Sequence, residues 1–178
     1  MPIYGLSYHK LAQTSYFQAD EEFARGDRAV IGMDQGQTLG RVVSGPHADL
    51  ENLEEDSLPH VVRRATEADL EQEKANEVLA GIAGYAASSC FGVKGMTIRS
   101  MSDGLAHLLG LENQSRGVKV TEAVDGGVNI DLHIAVEHGV NIATVCRSII
   151  GEVRYHVERL TGVDVKNVDI YVESIKAD

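Results

Sequence analysis

The downstream third of the chain has the sharpest pattern of apolar and polar positions. Val128, Ile130, Leu132, Ile134 and Val136 hold every second place, with Asn129, Asp131 and His133 between them. No helix brings such a set to one side, whereas a strand lines it along one face. Residues 118–124 form a second extended run, and Asp125-Gly126-Gly127 between the two has the composition of a tight turn, which predicts an antiparallel hairpin. The period then changes. Ile142, Val145, Cys146, Ile149, Ile150, Val153, Val157 and Leu160 recur at steps of three and four, the spacing of an amphipathic helix over 141–160. Asn141 suits its N-cap and Gly162 its stop. Alternation returns with Val168, Ile170 and Val172. Strand, helix, strand in succession predicts a right-handed crossover with parallel pairing.

Upstream, Thr66-Glu-Ala-Asp69 has the residues of a helix start, with early acids opposing the positive end of the dipole. No proline follows, so one long acidic helix is expected over about 67–90, with a bend as the alternative at Gly81 and Gly84, each of which weakens it by up to ~1 kcal/mol relative to alanine. Residues 93–99 read as extended, 103–109 as a short helix and 113–117 as a loop. Residues 3–45 read as short strands and turns. Ala29-Val-Ile31 and residues 38–43 flank a turn at 34–36, and Gly45-Pro46 marks the end of the block. The acidic stretch 47–65 reads as a solvated loop. The expected architecture is α/β (α+β). A two-layer C-terminal module, 66–178, has a small mixed sheet (antiparallel hairpin plus parallel crossover strand) covered by two helices. A small β-rich N-terminal module, 1–65, and the long acidic helix precede it.

Composition narrows the function. Net charge is −11; residues 1–74 hold seven Lys/Arg against fourteen Asp/Glu, and residues 75–178 nine against thirteen. Neither half has the basic footprint of a nucleic-acid binder or of a protein drawn directly to anionic lipid. The start lacks the basic and apolar regions of a signal peptide. The longest uncharged stretch, 78–93, is too short and glycine-rich to span a bilayer. A cytoplasmic protein is expected, with any membrane residence coming through a partner. Cys90 and Cys146 lie far apart with no CxxC spacing, as in buried thiols of a reducing compartment.

Candidate chemistry is sparse. The seven histidines are dispersed without an HxH or HxxxH pair, so no metal site is expected, and His133 is expected to face solvent beside Asn129 and Asp131. There is no GxSxG nucleophile, and the glycine-rich stretches lack the strand–loop–helix order of phosphate loops. No catalytic residue and no cofactor is assigned. Two surfaces stand out instead. Gly81 and Gly84, with Ala80, Ala83, Ala87 and Tyr85, make a smooth helical face, suited either to close packing on the sheet or to helix–helix self-association. The outer sheet face carries His133, Asp169 and Tyr171 with Asn129, Asp131 and Glu173; it is either wet, as is usual for such a face, or a polar interface anchored by Tyr171.

These residues also carry a resemblance. Asn76-Glu-Val-Leu-Ala-Gly-Ile-Ala-Gly-Tyr-Ala-Ala, Gly92-Val-Lys-Gly95-Met, Ser115-Arg-Gly-Val-Lys-Val120, Gly139-Val-Asn-Ile142 and Val153-Arg-Tyr-His-Val-Glu-Arg-Leu-Thr-Gly162 recur in the order found in the alkaline shock protein (Gls24-type) family, in particular its YloU-like members. The similarity covers about 75–176. It implies an abundant cytoplasmic, bacterial, non-enzymatic protein of the envelope stress response. Such a protein acts as a homo-oligomer or through a membrane-anchoring partner, or else regulates a lipid or fatty-acid metabolic enzyme. One departure is that Gln72-Glu-Lys-Ala75 favours helix where the family has a short first strand. Residues 13–75 more weakly resemble the opening of the polymerase-suppressor (PSP) family, through Arg25-Gly-Asp-Arg-Ala-Val-Ile31, the stretch from Gly36 to Pro46, and Arg64-Ala-Thr-Glu-Ala-Asp-Leu70. That family's cysteine-rich part has no counterpart here, and no activity or metal site is carried over.

Overall fold

A computed structural model describes residues 1–8, 14–33, 36–47, 58–97 and 117–177. The expected helix at 103–109, the loop at 113–116, the turn residues 34–35 and most of the acidic stretch, 48–57, lie outside the described residues. The chain divides into two units, Met1–Glu73 and Lys74–Asp178.

The first unit is built on one antiparallel sheet of β1 (Ile3–Ser7), β2 (Ser15–Gln18), β3 (Arg28–Met33), β4 (Gly36–His47) and β5 (Val61–Arg64), in the order β2-β1-β4-β3-β5. The expected hairpin is present, with Arg28 to Met33 paired residue by residue against Arg41 to Gly36. Two details differ from the sequence reading. β4 does not end at Gly45-Pro46 but runs through it to His47. Beyond Val42 it pairs with β1 alone, and at such an edge the missing N–H of proline is tolerated. Within the stretch read as loop, Val61–Arg64 forms an edge strand on β3. Only Val61 of the four is buried, so no apolar alternation announced it. The core of this unit is Tyr4, Leu6, Phe17, Phe23, Ile31 and Val42. Tyr4 packs edge-to-face on Phe23 at 5.7 Å and accepts a bond from the Phe23 amide at 3.2 Å.

The long helix is present as α1 (Glu67–Ser88), and it is continuous through Gly81 and Gly84, which the sequence left open. Its start is a capping box: Asp69 Oδ2 accepts from the Thr66 amide at 2.7 Å, and Thr66 Oγ1 accepts in return from the Asp69 amide at 3.4 Å. Arg63 clamps the same carboxylate with both terminal nitrogens, at 2.5 and 2.9 Å.

The second unit holds a mixed sheet around β8 (Val128–Glu137). Along one edge of β8 lie β6 (Val93–Met96) and β7 (Val118–Glu122), both antiparallel; along the other lies β9 (Val165–Lys176), parallel. Hairpin and crossover are therefore both realised. The helix α2 (Ile142–Thr161) makes the crossover. Asn141 Oδ1 accepts from the Thr144 amide at 3.1 Å, and Gly162 ends the helix at φ 73° with its N–H on Glu158 O. All five alternating residues of β8 are buried, against Leu79, Ala83, Ala86 and Ala87 of α1 and Val145, Ile149, Val153 and Val157 of α2. The buried stripe of α2 is thus a single row at four-residue steps. Ile142 and Leu160, read as part of it, are exposed; they lie at the two ends of the helix, beyond the buried row.

Each core position predicts a cost. Ile149 is fully buried, so Ile149→Ala should lower the stability of this unit by about 2–5 kcal/mol in urea unfolding. The Arg63 hydrogen bonds, with those from Thr66, hold the Asp69 carboxyl well below the ordinary carboxylate range. The stabilisation is therefore complete above the ordinary range and is lost as pH falls through the depressed value. Asp69→Asn should unfold more readily than the native chain at neutral pH, and the gap should close in acid.

Candidate interaction surfaces

The register of β8 and β9 brings the predicted polar set onto one sheet face. Asp131 lies beside Asp169, His133 beside Tyr171, and Asn129 beside Asn167. Here the structure corrects one expectation. His133 does not face solvent; it is 6% exposed. The Tyr171 ring stacks on the imidazole at 4.7 Å and 11°, and Glu173 Oε1 lies 2.6 Å from Nδ1. Parallel pairing places the two rings side by side, and the large aromatic covers what strand alternation alone would leave wet. Glu173 was placed on this face from sequence; it sits at a one-residue slip between Val172 and Ser174 that no sequence pattern signals.

His133 is also where the ladder changes partner. Its carbonyl accepts from the Thr97 amide at 2.9 Å, and its own N–H donates to Gly117 O at 2.7 Å. Thr97 and Gly117, which bracket residues 98–116, thus meet at one rung. Gly117 has φ 66°, and a Cβ there would lie 2.1 Å from Thr97 O, so glycine is required.

The second surface is a groove between the end of α1 and the outer side of α2. It has a volume of about 260 Å³ and is lined by Tyr85, Ala86, Ser89, Cys90, Phe91, Ser148, Glu152 and His156. The smooth Gly/Ala face divides at this point. Ala83, Ala87 and Gly84 are buried, whereas a Cβ on Gly81 would meet nothing within 4 Å. Tyr85, 59% exposed, projects from the helix, and Phe91 in the turn that follows is 85% exposed. Phe91 was missed by sequence reading, because a lone aromatic in a turn gives no periodic signal. Ala80, read with the same face, is buried as well.

Neither cysteine is activated as a nucleophile. Burial, followed by the nearby Glu152 charge, pushes the Cys90 thiol up, and burial does the same for Cys146; both thiols are free. A raised thiol pKa is the opposite of nucleophile activation. Among the described residues no three His, Cys, Asp or Glu side chains converge as metal ligands. No helix among them is long and apolar enough to cross a membrane.

Comparison with known proteins bears on the unit that carries both surfaces. Residues 65–177 match the model of the alkaline shock protein (ASP23) family, described by its cell envelope-related function. The chain belongs to this family. It is 38% identical over 102 residues to the uncharacterized protein YloU of Bacillus subtilis (strain 168), a span of 57% of this chain and 84% of the relative. A further relative, the uncharacterized protein YqhY of the same organism, is 33% identical over 106 residues, 60% of this chain and 77% of its own. A Streptococcus pyogenes relative is 33% identical over 105 residues, 58% and 86%. No solved structure matches. An envelope-related role for the family domain agrees with what the sequence motifs implied, and residues 1–64 lie outside the match.

The stacked pair has a direct signature. Ring current from Tyr171 at 4.7 Å should shift the His133 ring protons upfield; in Tyr171→Leu these resonances should return toward ordinary histidine positions in proton NMR.

Proposed function

We propose that this protein serves an envelope-related process by associating with itself and with partner proteins in the cytoplasm, and not by catalysing a reaction. Any membrane residence would come through such a partner. The observation that carries this reading is the aromatic rim of the α1–α2 groove. Holding Phe91 and Tyr85 in water forgoes up to ~2 kcal/mol each of burial. Beside them lie Ser148, Glu152 and His156, which give the groove a largely polar lining. Aromatic side chains flanked by polar groups are the residues that most often contribute binding energy at interfaces. The raised thiol pKa values support the non-catalytic part of the reading.

Two measurements test it. Sedimentation velocity from low to high micromolar chain should show mass rising with concentration; a strict monomer throughout would contradict self-association. Affinity capture with native chain and with a Tyr85→Ser/Phe91→Ser variant should recover a partner that the variant loses at least tenfold. Recovery of one stoichiometric metabolic enzyme by both forms would instead favour an accessory regulator of lipid metabolism.

A further inference from the structure

We propose that two copies of this chain join through the open edge of β9, antiparallel about a two-fold axis at Ile170, so that the mixed sheet runs from one copy into the other. This rests on the self-association reading above and gives it a geometry.

β9 pairs with β8 along one edge, and among the described residues no strand lies along the other. Near its start α2 reaches the backbone: Glu158 Oε1 accepts from the Val165 amide at 3.1 Å, and Arg154 donates to Lys166 O at 3.4 Å. From Asn167 onward no side chain of the described residues is placed in that way. Unpaired backbone donors and acceptors along an edge are a template for another strand. Ile175 shares a rung with Val136 of the apolar face, yet is 55% exposed.

The occupant follows from register. Odd shifts would set the apolar face of one copy against the polar face of the other. Of the even registers, the one centred on Tyr171 opposes Asp169 to Glu173 and Lys166 to Lys176, and the one centred on Asp169 sets that carboxylate against its own copy. Centring on Ile170 opposes no like charges and overlaps nearly the whole of β9, whereas the registers centred on Val168 and Val172, which also avoid like charges, overlap a smaller part of it. It pairs Val168 with Val172, Asn167 with Glu173, Asp169 with Tyr171, and Asp164 with Lys176 at both ends. It also matches the irregularities. The β8 ladder slips between Val165 and Asn167 and again between Val172 and Ser174. In this register Lys166 falls opposite Ser174 and Asn167 opposite Glu173, and Ile175 meets Val165 on the apolar face. Lysines and bulges normally deter edge pairing. Here they obstruct a regular strand but complement a second copy of β9.

The test uses the full chain with Cys90→Ser and Cys146→Ser. Chains carrying Asp169→Cys are mixed with chains carrying Tyr171→Cys and gently oxidised. Opposed side chains lie roughly 5 Å apart at Cβ, diagonal ones ~7–8 Å. The mixture should therefore form disulfide-linked dimers about tenfold faster than either chain alone. Independently, Lys176→Asp should weaken self-association about tenfold, and adding Asp164→Lys should restore it. If sedimentation shows oligomers but the mixture crosslinks no faster and the charge swap changes nothing, edge pairing is overturned and self-association stands. If the native chain is a monomer at every concentration, both are overturned.

Discussion

Removing Val128, Ile130, Leu132, Ile134 and Val136 from water on one face of a single strand dictates most of the Lys74–Asp178 unit. A strand so patterned needs a neighbour on each edge for its backbone and an apolar layer above its inner face. The hairpin and the crossover supply the edges, and the buried sides of α1 and α2 supply the layer. Among the described residues, the four-residue row of α2 answers that demand.

The same arrangement decides which residues are left to meet other molecules. The inner side of α1 carries Ala83, Ala86 and Ala87, small enough to let the helix settle closely on the sheet. Its large aromatic, Tyr85, is turned outward, and Phe91 follows in the turn. On the opposite side of the sheet, charge and amide groups prevail, but the centre is closed by His133 under Tyr171. An aromatic rim and an open strand edge are thus the features on which the proposed association rests, in a unit whose thiols have raised pKa values.

Much of this was legible beforehand, and the physical reason is locality. Periods of two and of three to four residues, a cap at Asn141, a stop at Gly162 and a glycine turn at 126–127 are properties of neighbouring residues, so they can be read directly. A long helix from Glu67 was readable from its capping residues and lack of proline, but its continuity through Gly81 and Gly84 was not. What failed to show itself was edge structure. Val61–Arg64 buries one side chain of four, and Pro46 sits inside a strand because β4 has lost one neighbour there. Of the candidate site, the polar face was assembled correctly by alternation, while the groove, with Phe91 and Ser148 on its walls, joins residues far apart in the chain.

By itself, then, the order of residues determined the hairpin, the crossover, the helix limits and the family of this protein. The tertiary structure alone decided the environment of each exposed position. His133 was polar by pattern and is buried by partnership, because the parallel register brings Tyr171 alongside it, and Glu173 reaches its ring nitrogen. Gly81 and Gly84 look equivalent in sequence, yet one is open and the other enclosed. Alternation along a strand specifies a face, but what covers that face depends on which strand lies beside it and in what register, and those are settled only when distant segments pack.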